Sequence, residues 1–164
     1  MPNSDCVRIW KNQILSDLQN DDEIIKVLGL HQDEDVDNLV YTRLFPHYYI
    51  PDVQEEVKTY IMVEIDIRQN QNRFRSNVSD VYSYPTIVFT VMSHQDNMKL
   101  NLAGISATRT DYLSELIDKK YNGSQDFGIG KIHLLSNSAG SLNDTYRYRQ
   151  LVFQALDLND SFCD

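Results

Sequence analysis

Lys131-Ile-His-Leu-Leu-Ser136, Asn137-Ser-Ala-Gly-Ser-Leu-Asn-Asp144 and Thr145-Tyr-Arg-Tyr-Arg-Gln-Leu-Val-Phe-Gln-Ala-Leu-Asp157 follow one another without a break. Two runs rich in β-branched, leucine and aromatic residues flank a turn-forming segment, which predicts a strand hairpin over 130–157. In the second run Leu151, Phe153 and Ala155 alternate with Val152, Gln154 and Leu156, so its inner half reads as buried on both faces. Its outer half places Tyr146 and Tyr148 on one face and Arg147 and Arg149 on the other. Tyrosine and arginine are the residues that anchor protein interfaces, which makes this cluster a candidate partner surface. A solvated strand end with cross-strand charge pairs accounts for it equally well. No catalytic signature lies anywhere in the stretch.

Upstream, Thr108-Arg-Thr-Asp111 matches a capping box with Asp in place of Glu. It precedes an amphipathic helix over 110–122 carrying Tyr112, Leu113, Leu116 and Ile117, stopped by Gly123. Arg109 and Asp111 are a candidate ion pair at its start. Before it, the span 56–93 reads as a second hairpin. In the strand from Glu56 to Ile67, Thr59, Ile61, Val63, Ile65 and Ile67 share one face and Tyr60, Met62, Glu64 and Asp66 the other. A polar loop over Gln69–Asp80 leads to a strand over Tyr84–Met92. Arg43-Leu-Phe-Pro-His-Tyr-Tyr-Ile-Pro-Asp52 is an ordered, non-helical connection, because Pro46 and Pro51 bias their predecessors to extended geometry. Its Phe45, Tyr48 and Tyr49 either cover a core edge or await a neighbouring subunit, with the second favoured.

The opening, 5–29, reads as a helix pair. Val7, Trp10, Ile14 and Leu18 form one stripe behind Ser4 or Asp5 as cap, and Ile24, Ile25, Val27 and Leu28 form a short helix stopped by Gly29. The predicted class is α+β in a single domain over 1–164. A mostly antiparallel four-stranded sheet carries the helix pair and the central helix on one side.

With 164 residues, 41% hydrophobic and 24% charged, the chain has the composition of an ordinary soluble globular domain. A formal charge of −9 repels a phosphate backbone and disfavours general nucleic-acid binding, including by the helix-turn-helix-shaped opening. Cys6 and Cys163 are too few for a disulfide framework and are expected to be reduced in a cytosolic compartment. No apolar run is long enough to span a membrane, and the sequons at Asn77, Asn122 and Asn143 read as chance matches.

Chemistry finds little support. Asp33, Asp35 and Asp37 match the first positions of a calcium loop, but Asn38 and Leu44 stand where its glycine and closing glutamate belong. Glu64 and Asp66 share a strand face, as magnesium-binding carboxylates of a nuclease do, yet Asp52 and Glu56 lie too close together for a PD-(D/E)xK core. His31, His47, His94 and His133 show no zinc-ligand spacing. Phe127-Gly-Ile-Gly130 lacks the third glycine of a dinucleotide turn and follows a helix. No catalytic residue, metal or cofactor is expected.

Tyr49-Ile-Pro-Asp-Val-Gln-Glu-Glu-Val-Lys-Thr-Tyr60, Thr108-Arg-Thr-Asp-Tyr-Leu-Ser-Glu-Leu-Ile-Asp118, Phe127-Gly-Ile-Gly-Lys131 and Ser141-Leu-Asn-Asp-Thr-Tyr-Arg-Tyr-Arg149 resemble small structural proteins encoded among the head and tail genes of tailed phages and prophages of Gram-positive bacteria. The element order is similar to that of tail-terminator (tail-completion) and neck proteins. That resemblance implies a virion protein of the neck, assembled in the bacterial cytoplasm. Six copies would form a ring that meets the tail tube and the head connector and lets DNA pass without sequence-specific binding. Phe45, Tyr48, Tyr49, Arg109, Asp111, Tyr146, Arg147, Tyr148 and Arg149 are then the interface candidates. The alternatives are a head-completion or connector protein of the same neck, a metal-dependent nuclease using Glu64 and Asp66, and a small DNA reader.

Overall fold

Alternation of Ile61, Val63 and Ile65 with Tyr60, Met62 and Glu64 gives one strand two chemically different faces, and the sheet is built on that difference. A computed structural model describes residues 4–52, 57–71, 81–128 and 130–155. In it this strand is β2 (Thr59–Gln71), paired antiparallel with β3 (Val81–His94) from Thr59↔Ser93 to Gln71↔Val81. On its other side β3 pairs antiparallel with β5 (Tyr146–Gln154), and β5 pairs antiparallel with β4 (His133–Ser141). The α+β class with helices on one side of a mostly antiparallel sheet is as expected. The strand count is five rather than four, because Leu44–Phe45 forms a short β1 parallel to β2, giving the order β1-β2-β3-β5-β4. Two residues ahead of a proline are too few to show alternation; the pairing is made by the backbone, with Ile61 N donating to Arg43 O at 2.9 Å.

Two further strand expectations change. Asn137–Ser141, expected within the turn, is paired strand in β4. Its Ser, Asn and Gly are turn formers by propensity, but cross-strand pairing overrides that preference. The turn shrinks to 142–145, held by Asn143 Oδ1, which accepts from the backbone N–H groups of Thr145 and Tyr146 at 2.8 Å each. Residues 69–71 of the expected polar loop belong to β2. The rest of that loop over 72–80, the strand start at Glu56, and Leu156 and Asp157 lie outside the described residues.

Helix α1 (Ser4–Gln19) takes in both Ser4 and Asp5, the residues expected to cap it. It buries Trp10, Ile14 and Leu18, joined by Cys6 and Leu15. Cys6 is disulfide-bonded, not the reduced thiol expected; two cysteines far apart in sequence say nothing of their separation in space, and Cys163 lies outside the described residues. Helix α2 (Asp22–Leu28) is capped by Asp21, whose Oδ1 accepts from Glu23 N and Ile24 N at 3.2 Å each. It ends at Gly29, with φ of 65°, where an added Cβ would lie 2.7 Å from Arg109 Nη1. The position therefore needs glycine for its backbone and for its lack of side chain. Helix α3 (Arg109–Tyr121) starts under Thr108, whose Oγ1 accepts from Asp111 N at 3.2 Å. The three helices cover the β2 face made by Ile61, Val63 and Ile65, together with Ile87, Phe89, Val91, Leu151 and Phe153.

Arg43 is fully buried and sits where these layers meet. Its Nε and Nη2 donate to the two carboxylate oxygens of Glu34 at 2.7 Å each, its Nη1 to Thr59 O at 2.9 Å, and its Nη2 also to Gly29 O at 3.4 Å. One guanidinium thus joins the acidic loop after α2, the end of α2 and the start of β2. In that loop Asp35 caps a single 3-10 turn over Val36–Asn38, and Glu34 turns inward.

The hydrogen bonds from Arg43 hold the Glu34 carboxyl at a pKa of about 2, against the opposing effect of burial and with help from His31 N. Because the folded value lies below the unfolded one, the pair's contribution is complete above about pH 4.5 and is lost as pH falls toward 2. Its size is on the order of 3 kcal/mol. Denaturant midpoints taken between pH 6 and pH 2.5 are expected to fall through that window, and Glu34→Gln is expected to lower the midpoint at pH 6 and flatten the acid dependence.

Candidate interaction surfaces

The face of the sheet away from the helices carries a second, smaller core. Phe45, Tyr60, Met62, Met92 and Tyr146 are buried together there, with Tyr49, Leu142 and Tyr148 packed against them. The connection after β1 folds back over the strands: Tyr49 stacks on Phe45 at a centroid distance of 4.0 Å and an interplanar angle of 2°, and its ring lies 5.3 Å from that of Tyr60. The His94 and Tyr146 rings meet in a T-shaped arrangement at a centroid distance of 5.2 Å. Of the aromatic interface candidates, Phe45 and Tyr146 are therefore covered by their own chain, Tyr49 and Tyr148 are half-buried, and Tyr48 is exposed. Of the two roles the sequence left open for the proline-framed aromatics, Phe45 and Tyr49 take that of covering a core edge.

The split of β5 into two faces is as the alternation implies. Tyr146 and Tyr148 join the aromatic core, whereas Arg149 reaches α3, where its Nε donates to Asp111 Oδ1, and its Nη1 donates to Asn137 Oδ1 at 3.2 Å. Arg147 is exposed. Asp111 is thus paired across the fold with Arg149 and not with Arg109. Burial raises its pKa, but hydrogen bonds from Arg149 and Thr108 outweigh this and bring the net value below the usual carboxylate range. Arg109 points the other way, its Nε donating to Asn97 O at 2.7 Å and its Nη1 to Val27 O. Burial, then the nearby Arg43 charge, lower its pKa. Two residues apart on a helix are about 200° apart around its axis, so neighbours in sequence serve different elements.

Tyr148 pairs across the strands with Gly140, and its ring occupies the space where a Gly140 side chain would be: a Cβ there would lie 2.4 Å from the Tyr148 ring carbon Cζ. Glycine in β4 thus makes room for an aromatic cover rather than marking a turn.

Glu64 and Asp66 do lie on the same sheet face, half-buried and exposed respectively. Among the described residues no group of three His, Cys, Asp or Glu is arranged to hold a metal ion. His94 Nδ1 accepts from Asp96 N at 3.1 Å, His47 lies 5.7 Å from the Phe45 ring, and His31 and His133 are exposed at separate places.

Exposed apolar side chains that the sequence did not single out as candidates include Ile9, Val36, Tyr41, Ile50, Val57 and Leu135. At the β1 margin are Tyr41, 65% exposed, and Ile50, 64% exposed. Tyr41 holds a left-handed backbone with φ of 66°, a conformation uncommon outside glycine. Beside it an open groove of about 380 Å³ runs between α1 and this connection, lined by residues including Val7, Arg8, Lys11 and Leu15. At the β4 margin is Leu135, 59% exposed, at a bulge where the pairing steps from Leu134 to Ser136. The consecutive leucines 134 and 135 were the available signal, since strict alternation can bury only one of them.

The described residues form an α+β fold of five strands and three α-helices, whose buried side-chain polar atoms are bonded within the chain except Asp118 Oδ1 and the Tyr121 hydroxyl. The chain belongs to the YomW family, whose model matches residues 15–155. No curated protein matches it. It shares its fold with a chain from the virion of a native gene transfer agent particle, with a TM-score of 0.52 at 13% identity, over 87% of this chain and 90% of that one.

Replacing Gly140 by Ala is expected to destabilise the chain by about 1–3 kcal/mol by displacing the Tyr148 ring. The same change in a Tyr148→Ala background is expected to cost much less, and chemical denaturation of the four-member cycle measures the difference.

Proposed function

We propose that this protein is a structural subunit of a tailed phage or phage-like particle. It works at the neck as a subunit of a tail-terminator ring between tail tube and head connector, by assembly and not by catalysis. The observation that carries the reading is the extent of the shared fold, nine-tenths of a chain from a gene transfer agent virion. The resemblance in sequence to neck proteins supports the finer position. The distribution of charge is compatible with it: the acids of α2 and of the loop at Asp33–Asp37 give that part of the helix layer a negative surface, while the sheet face beyond the aromatic core presents Glu64, Asp66 and Arg68. Such a wall lets a polyanion slide without capture.

Deletion of the gene from the particle that encodes it is expected to leave DNA-filled heads and separate tails, with complete particles restored by the gene supplied in trans. Gold-labelled antibody is expected to mark the tail end that faces the head. Label confined to free heads would instead indicate a head-completion protein. Normal particles without the chain, or its absence from purified particles, would overturn the reading.

A further inference from the structure

Cys6 is buried in the first turn of α1, within the main core, and it is disulfide-bonded. Among the described residues no cysteine is free, and the chain has one other cysteine, Cys163. Three observations put Cys163 within reach. Cys6 and Gln13 stand two turns apart and so share a flank of α1. Gln13 Nε2 donates to Asp126 O at 3.4 Å, which turns that flank toward the segment leading into β4. Strand β4 opens at His133, paired with Gln154 at the end of β5, and Phe127, Ile132 and Ala155 are buried in the same core as Cys6. The eight steps of chain from Ala155 to Cys163 span up to roughly 27 Å when extended, more than the length of α1, which is about 24 Å.

We infer that Cys6 is bonded to Cys163, so that the segment 156–164 is a strap tying the end of β5 to the start of α1, and that this bond is a redox latch on the fold. The tie closes everything from α1 through β5 into one covalent loop. A cross-link over so long a loop removes much of the freedom of the unfolded chain. It also adds a covalent hold on α1, which otherwise meets the sheet through side-chain packing and hydrogen bonds. Closure is a thiol–disulfide exchange: the two thiols give two protons and two electrons to a small-molecule disulfide, one S–S bond forms, and the oxidant leaves as two thiols. In a reducing cytoplasm the exchange runs the other way. The strap is then open while subunits are made and assembled, and it closes once particles reach an oxidising medium. That timing rests on the reading of the chain as a virion protein; the pairing of the two cysteines does not.

Peptide mapping by mass spectrometry without reductant, on the full-length protein treated with glutathione disulfide, is expected to yield a peptide pair joining Cys6 to Cys163. A dimer cross-linked through Cys6 of each copy, or alkylation of both thiols after that treatment, would overturn the pairing. The oxidised protein is expected to unfold about 5–15 °C above the reduced one. Cys163→Ser, which leaves the buried Cys6 in place, is expected to unfold with the reduced wild type whether reductant is present or not. Equal unfolding temperatures for oxidised and reduced wild type would overturn the strap as a stabilising tie. For the timing, cells making the particle are quenched with an alkylating reagent before lysis. The chain from the cytoplasm is expected to be alkylated at both cysteines and the chain from purified particles at neither. A bonded cytoplasmic chain, or an alkylated one in particles, would overturn the latch and leave the pairing standing. Absence of the chain from particles would overturn the virion reading and the timing with it, and the peptide map would still decide the pairing.

Discussion

A buried guanidinium is tolerable only where each of its nitrogens finds an acceptor and its charge finds a counter-charge. Arg43 meets that condition with Glu34 and with the carbonyls of Thr59 and Gly29, and the requirement fixes three segments relative to one another. The acidic loop must fold inward to bring Glu34. Helix α2 must end at Gly29 with its carbonyl in reach. Strand β2 must begin at Thr59, next to the same residue whose carbonyl accepts from Ile61. Arg109, close by, satisfies the last carbonyls of α2 from the other side through Val27. Two arginines thus close the C-terminal end of one short helix, which has too few turns to be stable without tertiary support.

Around that joint the sheet is used twice. Its helix-facing side builds the main core in the ordinary way, and at one end its opposite side is sealed by aromatic rings supplied by the connection after β1. This second core changes which residues are available to a partner. Side chains that look like interface anchors by type, such as Phe45 and Tyr146, satisfy the fold itself. Tyr48 and Arg147 stay exposed, as do less conspicuous residues: Tyr41 in a left-handed bend, Ile50, and Leu135 at a bulge.

Much of the architecture was legible in the sequence because it rests on local rules. The stripe through Trp10, Ile14 and Leu18, the Thr108 cap, the Gly29 stop and the alternation along β2 each follow from backbone geometry and burial. Features that depend on distant partners were not. The strand character of Asn137–Ser141 comes from pairing with β5, the pairing of β1 from a backbone bond to Ile61, and the choice of Arg149 by Asp111 from the closeness of β5 to α3. The candidate surface was read from residue type alone, and type does not say whether a tyrosine is covered by its own chain.

The graded burial of β2 makes the β2–β3 ribbon a cantilever. From Thr59 to Val63 each residue of β2 is enclosed on both sides, while Asp66 and Arg68 face water. One end is clamped between two cores, and burial falls along the described part of the strand toward the other. A load applied at the outer end reaches the rest of the molecule as a torque on the clamp at Thr59, and the residue that grips that point is Arg43.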